Sequence, residues 1–381
     1  MRAGVAAVLL LGAGLPAAAP VAAQRYWKNT LYPYVYYSTI DGFWGAGHLG
    51  FYMPIGFVER PEPNLAALNF DAAASTEGSY FLAADGQAPA YWAGWRLALT
   101  LVAARENRLG YYGLGNATAY SADSVTAAAP YLYQVSRSHR SARATVQRRL
   151  LGPLRALVGA GVERADFRTL PGPSVFRRDL ASATIDSNTV PFNDAVLRAG
   201  VVLDTRDHEI DPHRGLLVEA LYARGTGYTR TTAAARVYVH PVEKLVLAAR
   251  LAGERMGGTP PIAAQLVMES SERPFVAVGG YRSLRGHYDA RFVGAGKLLG
   301  GIEARYALLW APSVLELKIA GFLDGGRVFD RSETVRLTSE GLHIGGGGEF
   351  ALRIQRNTLV VLGVGFGNEG AQLLVASTWS Y

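Results

Sequence analysis

The most informative part of the sequence is the run Gly279-Gly280-Tyr281-Arg282-Ser283-Leu284-Arg285-Gly286-His287. It sets Arg285 next to a glycine inside a long connection, where glycine lets the backbone bend sharply and approach other groups closely. A guanidinium in such a loop needs carboxylate partners. Two follow in strand-like segments downstream, Glu303 and Asp324. Both acids are therefore candidate partners of Arg285, and a solvated loop arginine that pairs with no acid is the alternative.

The segments around this loop alternate apolar and polar residues with the two-residue period of a β-strand. In residues 315–324 the leucines and the isoleucine fall on one face, and Glu316, Lys318 and Asp324 fall on the other. About 16 such segments occur along the chain. An even number is expected for a single-chain bacterial barrel, in which the apolar faces contact lipid. A soluble β-sandwich would bury the same faces in a core, and the local pattern alone does not separate the two folds.

The connections between these segments differ in length. Residues 105–130, 167–194 and 255–296 form long connections, whereas Gly152-Pro153 is a two-residue turn. Outer-membrane barrels have longer loops on the outer side and short turns on the periplasmic side. A soluble sandwich has no reason to segregate its connections in this way. The loop lengths therefore favour the barrel.

The first residues of the chain read as an export signal. A basic start at Arg2 precedes the apolar residues 5–15, and Val21-Ala22-Ala23 before Gln24 fits a small-x-small cleavage site. We expect residues 1–23 to be a cleaved signal peptide and residues 24–381 to form the barrel. An uncleaved membrane helix is the alternative, but the apolar run is short for a span.

The composition restricts the function further. Without cysteine the chain has no disulfide or thiol chemistry, which fits a Gram-negative outer membrane better than a small secreted scaffold. The formal net charge is +7 and no block of lysine or arginine stands out. An exported chain does not meet nucleic acid, so we expect no nucleic-acid partner. Acidic residues are spread among the basic ones, so we interpret the charge as a solvated surface of mixed sign, with anionic lipid headgroups or a cationic lumen as alternative explanations of the excess.

The last residues form another strand-like pattern. Counted in alternation, one face is predicted to carry Leu373, Val375, Trp379 and Tyr381, with an aromatic residue last. This ending is typical of the C-terminal targeting strand of outer-membrane barrels. An ordinary edge strand is the alternative interpretation.

A charged motif stands between two of the predicted strands. It consists of Asp204, Thr205, Arg206 and Asp207, followed by Pro212 and Gly215. We interpret it as a structural turn in which the arginine pairs with its flanking acids and the proline and glycine set the backbone. A metal site is the alternative, since acids and histidines cluster here, but their spacing lacks the pattern of a calcium-binding loop. The residues that suggest it are Asp204, Asp207, His208, Glu209, Asp211 and His213.

A glycine motif, Tyr111-Tyr112-Gly113-Leu114-Gly115-Asn116, lies in the first long connection. Its glycines permit positive φ and close packing of the tyrosines. A dinucleotide-binding loop is the alternative, but the third glycine, the helix after it and the surrounding strand–helix–strand unit are missing. We therefore expect an outer loop here and no cofactor.

Taken together, these motifs make the chain, from about Tyr34 onward, resemble the BamA/TamA-type surface-antigen family of outer-membrane β-barrels. The resemblance rests on the glycine motif, the turn motif, the loop run at 279–287 and the two segments after it, 300–305 and 321–329. It implies an all-β fold, a transmembrane antiparallel β-barrel of about 16 strands with a long loop folded into the lumen. It also implies a lumenal loop motif whose arginine pairs with Asp324 and Glu303. That motif is Leu284, Arg285, Gly286 and His287, and it departs from the family at His287, where an aromatic residue is usual.

The function implied by the resemblance is protein translocation or assembly at the outer membrane. The sequence leaves no room for a periplasmic POTRA domain between Gln24 and Leu31, so we expect a POTRA-less member acting as a barrel-only insertase or translocation pore. The expected partners are outer-membrane lipid and lipopolysaccharide, a separate periplasmic or client protein, and the barrel assembly machinery during biogenesis. A passive solute pore is one alternative. A lipolytic enzyme using Ser138 and His139 is the other, although no third catalytic partner is evident and we expect no catalysis.

Overall fold

The computed structural model describes residues 26–38, 41–55, 60–311, 315–354 and 358–381, so the predicted signal peptide lies outside the described residues. The fold is all-β, and sixteen strands form one antiparallel sheet in chain order. In chain order the strands are β1 (Lys28–Ser38), β2 (Gly42–Met53), β3 (Ala66–Ser75), β4 (Tyr80–Ala88), β5 (Trp95–Gly110), β6 (Gln134–Leu151), β7 (Leu154–Arg168), β8 (Phe192–Asp204), β9 (Gly215–Gly225), β10 (Tyr228–Val242), β11 (Leu245–Gly258), β12 (Val267–Met268), β13 (Phe275–Val276), β14 (Gly296–Ala311), β15 (Leu315–Phe329), β16 (His343–Ile354), β17 (Thr358–Gly367) and β18 (Gly370–Ala376).

The two shortest strands stand apart from this sheet. β12 and β13 pair with each other inside the connection between β11 and β14. Two helices are also short, α1 (Val175–Ala181) and α2 (Ile262–Gln265), and both lie in long connections. Within the described ranges, no helix has the length and apolar character needed to cross a membrane.

The sixteen segments predicted from alternation each correspond to one strand of the large sheet, and the expected all-β barrel fold is confirmed. Alternate residues point to opposite faces, as the pattern predicts. On β7, Val158 and Val162 are 58% and 59% exposed, while Leu157, directly before Val158, is 2% exposed. Apolar side chains therefore cover the outer surface, and the inner surface carries the charged residues.

The sheet curls around a lumen. Asp211, in the connection between β8 and β9, lies 2.5 Å from the ammonium group of Lys318 on β15. Strands so distant in the sheet meet only if the sheet is rolled up. At the edges, and within the described residues, β1 pairs only with β2 and β18 pairs only with β17. The first and last strands thus leave a seam that is not closed by strand pairing.

Because the strands are antiparallel, successive connections fall at opposite ends of the barrel. The connections 111–133, 169–191 and 259–295 all lie at one end, which we call the loop end. The two-residue turn at 152–153 lies at the other, the turn end, together with residues 205–214. The loop end has its own hydrophobic core, in which α1 and α2 pack with Tyr111, Phe167 and Val293. This core caps the barrel at the loop end.

The last strand is shorter than the sequence pattern predicts, which corrects the expectation of a single face. β18 ends at Ala376. Leu373 and Val375 are 79% and 63% exposed on the outer surface, whereas Trp379 and Tyr381 are both 4% exposed and lie inside. The chain turns inward because both aromatic residues find polar partners there. We call residues 377–381 the tail.

Candidate functional site

The connection between β11 and β14, residues 259–295, folds back into the lumen. Its apolar side chains pack on the barrel wall, and Val278 and Leu284 are fully buried against Ala252, Leu299 and Val328 of the neighbouring strands. Burying this apolar surface contributes on the order of 25 cal/mol per Å². The packing therefore holds the segment, which we call the lumenal loop, against one side of the barrel.

At the tip of the lumenal loop, the side chain of Arg285 is fully buried and meets the two predicted acids. Its Nε and one terminal nitrogen donate to the two carboxylate oxygens of Asp324 at 2.7 and 3.0 Å. The other terminal nitrogen donates to Glu303 at 2.5 Å. Burial disfavours the charged guanidinium, but Glu303 and Asp324 outweigh it and raise the pKa of Arg285 well above its ordinary value. The arginine is therefore held as a cation.

Two further contacts of Arg285 were not predicted. Glu349 of β16 accepts from the guanidinium at 3.2 Å, and the ring of Phe322 lies under it with 3.6 Å from the guanidinium carbon to the ring centre. Both residues stand on the inward faces of their strands. The alternation of residues 342–354 placed Glu349 on the polar face, which was the available signal for a third acid.

The three buried acids are balanced by three guanidinium groups. Arg305 donates to Glu303 at 2.6 Å, and Arg250 lies 3.9 Å from Asp324. Arg250 also donates to the carbonyl oxygens of Arg282 and Ser283, both at 2.6 Å. A buried network is stable only when its charges are matched and hydrogen-bonded. This one fixes both the side chain of Arg285 and the backbone before it.

The backbone of the loop tip rests directly on β16 and β17. Gly286 has a φ of +90°, and a β-carbon there would stand 2.6 Å from the backbone of Phe366. On the facing strand, a β-carbon at Gly345 would collide with the carbonyl oxygen of Arg285. Side chains are excluded from both sides of this contact. The glycine run at 345–348 is a sequence signal for this contact, although it was not among the predicted site residues.

His287, the departure from the family pattern, is 2% exposed. Its Nε2 lies 3.1 Å from the side-chain oxygen of Asn368, and its ring is 6.3 Å from that of His343. Burial lowers the pKa of His287 to about 4, and the nearby His343 and Arg291 act in the same direction. The imidazole is therefore neutral at pH 7 and packs as a flat ring.

The middle of the lumenal loop is anchored by two glutamates. Glu269 pairs with Arg143 at 2.6 Å and with Arg198 at 3.0 Å. Burial opposes its ionisation, but these arginines prevail and lower the pKa of Glu269 to about 2. Glu272 accepts from Arg206 and from Arg236, each at 2.8 Å. The loop is thus tied by ion pairs to β6, β8, β10 and the turn end.

The predicted turn motif forms a structural turn with one unexpected contact. Arg206 donates to both oxygens of Asp204 at 3.0 and 3.1 Å and continues to Glu272 of the lumenal loop. Asp207 does not pair with it and instead accepts from the backbone nitrogen of His213 at 2.9 Å. Gly215 has a φ of +104°, with no room for a β-carbon beside Thr205. Pro212 lines the cavity at this end.

A lysine side chain lies where a metal ion would have to bind in the cluster around Asp211. Asp211, His213 and Glu316 come close enough to hold an ion. The ammonium group of Lys318 already lies between the acids, 2.5 Å from Asp211 and 3.0 Å from Glu316. A bound cation would have to displace it. The cluster therefore acts as an internal ion-pair network.

The tail joins this network from the other side. The indole nitrogen of Trp379 donates to Asp211 at 2.7 Å, and the phenol of Tyr281 donates to the carbonyl of Thr378 at 2.9 Å. The ring of Tyr381 lies 4.4 Å from the guanidinium carbon of Arg250. The tail therefore contacts both the barrel wall and the lumenal loop. Sequence alternation had no signal for these contacts, since they depend on tertiary partners.

The glycine motif at 111–116 links the outer loops to the strands. The phenol of Tyr111 donates to Asp179 of α1 at 2.8 Å. Tyr112 stacks on Tyr288 of the lumenal loop, with 5.7 Å between ring centres. Asn116 donates to the carbonyl of Gly341 at 2.7 Å. These contacts join four connections, residues 111–133, 169–191, 259–295 and 330–342, into the cap at the loop end.

Ser138 and His139, the basis of the lipolytic alternative, are consecutive residues of β6. Consecutive side chains of a strand point to opposite faces. The nucleophile and base that this alternative requires therefore do not meet on one surface.

The sequence of residues 72–356 matches the Omp85 superfamily domain. Among solved structures, the chain is similar to BamA from Haemophilus ducreyi lacking POTRA domains 1-3, with 12% identity over 92% of this chain and 69% of that chain, and a TM-score of 0.53. It is also similar to CdiB from Escherichia coli, with 9% identity over 94% of this chain and 62% of that chain, and a TM-score of 0.57.

At these identities the structural likeness establishes the fold. The chain spans less than two thirds of the CdiB chain. No protein of curated function matches the sequence. The family resemblance inferred from the motifs is confirmed by the domain match.

Proposed function

We propose, from the premise that this chain belongs to the Omp85 superfamily, that it inserts or translocates polypeptides at the outer membrane through the seam between its first and last strands. Members of the superfamily are outer-membrane proteins that interact with other proteins, and they are transporters or insertases rather than enzymes. For this chain the proposed client is an unfolded polypeptide. A separate periplasmic protein is proposed to deliver it.

The observation that carries the proposal is the unpaired seam. Within the described residues, β1 and β18 each pair on one side only. Such an edge presents free N–H and C=O groups to which another strand can be added. Pro33 in β1 supports this arrangement, since proline lacks the donor for a ladder and is confined within sheets to edges, strand starts and bulges. A client segment pairing with this edge would have its backbone groups satisfied within the membrane.

The filled interior of the barrel favours a route for the polypeptide through the seam over a route straight through the lumen. The lumenal loop occupies the barrel beneath the cap at the loop end, and Arg285 fixes it there through buried ion pairs. A passive solute pore requires an open lumen instead. The fixed loop thus supports the seam as the route.

A cross-linking experiment tests the proposal. Because the chain has no cysteine, Leu31→Cys on β1 and Leu373→Cys on β18 introduce one thiol on each side of the seam, both on outward faces. The matched control is Val364→Cys with Leu373→Cys, which links β17 to β18 at directly paired positions and leaves the seam free. The proteins are reconstituted in liposomes, and the insertion rate of a urea-unfolded eight-stranded barrel protein is measured.

We expect the reduced proteins and the cross-linked control to accelerate insertion over empty liposomes, and the seam-linked protein to lose the acceleration. Acceleration that survives the seam link, or no acceleration by the folded barrel, would refute the proposal. Steady ion conductance that is identical with and without the seam link would favour the passive pore.

A further inference from the structure

The turn end of the barrel contains a cavity of about 1090 Å³ whose charges are unequal. It is bounded by the first strands, the connection 205–214, the lumenal loop and the tail. Among the residues that the structure describes, seven cationic side chains and four carboxylates line it. An enclosed space with excess positive charge concentrates anions.

The four carboxylates of the cavity are already engaged. Asp85 lies 2.5 Å from Arg273, and Glu209 accepts two hydrogen bonds from Arg96 at 2.6 and 2.9 Å. Asp204 and Glu272 are taken by the arginines of the turn motif and β10, as described above. Each of these acids thus faces at least one guanidinium at hydrogen-bond distance, and none of the four is left to neutralise the remaining cations.

Arg282, on the lumenal loop, is the clearest of these remaining cations. In the described part of the chain no carboxylate lies within 4 Å of it, and its Nε has no hydrogen-bond partner. It packs on the ring of Phe275, 5.2 Å from the ring centre. Burial lowers the pKa of Arg282 to about 10, and the nearby Arg236, Arg250 and Arg273 lower it as well. Glu272 acts in the opposite direction but does not outweigh them.

Arg155 of β7 is the second. Its closest acid is Asp204, at 3.6 Å, and that carboxylate already accepts two hydrogen bonds from the guanidinium of Arg206. Arg155 therefore has an attractive neighbour and no hydrogen-bonded carboxylate. Two guanidinium groups on the wall of one cavity are left to bind something that is not part of the protein.

We propose that this cavity is a binding site for a phosphate-type oxyanion, with Arg282 as its principal donor and Arg155 as a second. Guanidinium groups bind phosphate oxygens through paired, charge-assisted hydrogen bonds. A dianion offsets the excess positive charge of the cavity better than a monovalent anion does. The same chemistry is offered by free phosphate and by the phosphate of a lipid headgroup. The site does not depend on the seam or on a polypeptide client.

Calorimetric titration of the full chain in a non-ionic detergent tests the site, with sodium phosphate in one arm and a short-chain phosphatidic acid in the other. We expect binding in at least one arm, and the arm that binds more tightly identifies the source. Arg282→Gln should weaken it about tenfold or more, the loss of one charge-assisted contact. Arg282→Lys should retain most of it. The matched control is Arg336→Gln, an arginine 65% exposed in its side chain at the loop end, which should leave the affinity unchanged.

No heat of binding in either arm, or equal affinity of the wild type and Arg282→Gln, would overturn the proposal. Folding of each variant is checked by the heat-modifiable shift in electrophoretic mobility. If Arg282→Gln does not fold, the wild type alone decides through its unfolding temperature. The site is supported if phosphate raises the unfolding temperature and an equal concentration of sodium chloride does not. Identical changes in the unfolding temperature with both salts refute it.

Discussion

Arg305 and Tyr381 are joined by a hydrogen bond of 2.9 Å, from a guanidinium nitrogen on the barrel wall to the backbone carbonyl of the tail. The same guanidinium donates to Glu303, which also accepts from Arg285 of the lumenal loop. The tail and the loop are therefore held by adjacent members of one charge network. Since the tail continues directly from β18, the position of the last strand and the position of the loop are physically linked.

Removing the central cation should destabilise the barrel strongly. Arg285→Ala leaves Glu303, Asp324 and Glu349 without their shared partner, and breaking a buried ion pair costs about 3–5 kcal/mol. The free energy of unfolding, from urea titrations followed by heat-modifiable mobility, should fall by that amount. Arg336→Ala, at an exposed pair with Glu340, should change it by less than about 0.5 kcal/mol. Equal values for the wild type and Arg285→Ala would contradict a central role for the network.

The three acids should differ in their contributions. Asp324 accepts two hydrogen bonds from the guanidinium of Arg285 at 2.7 and 3.0 Å, whereas Glu349 accepts one at 3.2 Å. Asp324→Asn should therefore cost about 3 kcal/mol and Glu349→Gln about 1.5 kcal/mol, the upper and lower ends of the range for hydrogen bonds to charged groups. The same urea titration measures both. A larger loss of unfolding free energy in Glu349→Gln than in Asp324→Asn would show that the number and length of the hydrogen bonds do not predict the contribution of each acid.

A single added methyl group should displace the loop tip. Gly345→Ala places a β-carbon on the carbonyl oxygen of Arg285, and overpacking of this kind costs about 1–3 kcal/mol. Limited proteolysis of reconstituted protein should cut within residues 259–295 faster than in the wild type. Gly321→Ala is the control, because nothing lies within 4 Å of a β-carbon there. Equal cleavage rates of the Gly345→Ala and Gly321→Ala variants would mean that the position of the loop tip does not depend on the absence of a side chain at Gly345.

The tail and the loop should be energetically coupled. In a double-mutant cycle of Trp379→Ala with Arg285→Ala, the two losses of unfolding free energy should fail to add by about 0.5–3 kcal/mol, as for residues in one network. The control cycle pairs Trp379→Ala with Arg336→Ala and should be additive. Additivity in both cycles would remove the proposed link between the last strand and the loop.

Acid should weaken the protein through His287. Its pKa is lowered from the ordinary 6.5 to about 4 in the folded protein, so the unfolded chain binds the proton more readily. The contribution of His287 to the stability is complete above about pH 6.5 and is lost as the pH falls toward 4, with a slope approaching about 1.4 kcal/mol per pH unit. His287→Phe should flatten this part of the profile, measured by unfolding midpoints at several pH values. An unchanged slope in His287→Phe would contradict the assignment.

The sequence contained enough to place the strands and the two acids of Arg285. Strand faces follow from a period of two, so alternation alone puts Glu303 and Asp324 on inward faces. Alternation did not predict the inward positions of Trp379 and Tyr381. Both residues follow the end of β18, where tertiary contacts position the chain, and their partners Asp211 and Arg305 are distant in sequence. The third acid was visible as a polar residue, but only the path of the loop tip brings it within reach.

The bare strip of backbone under the loop tip has an evolutionary consequence. Wall strands tolerate many substitutions as long as alternation is kept, whereas the strip at Gly345 and Gly365 tolerates no side chain. An alanine at either position would push the loop tip off the wall while leaving the strand pairing of the wall itself in place. Because glycine and alanine codons differ by one nucleotide, a single mutation is enough to separate the loop tip from the wall.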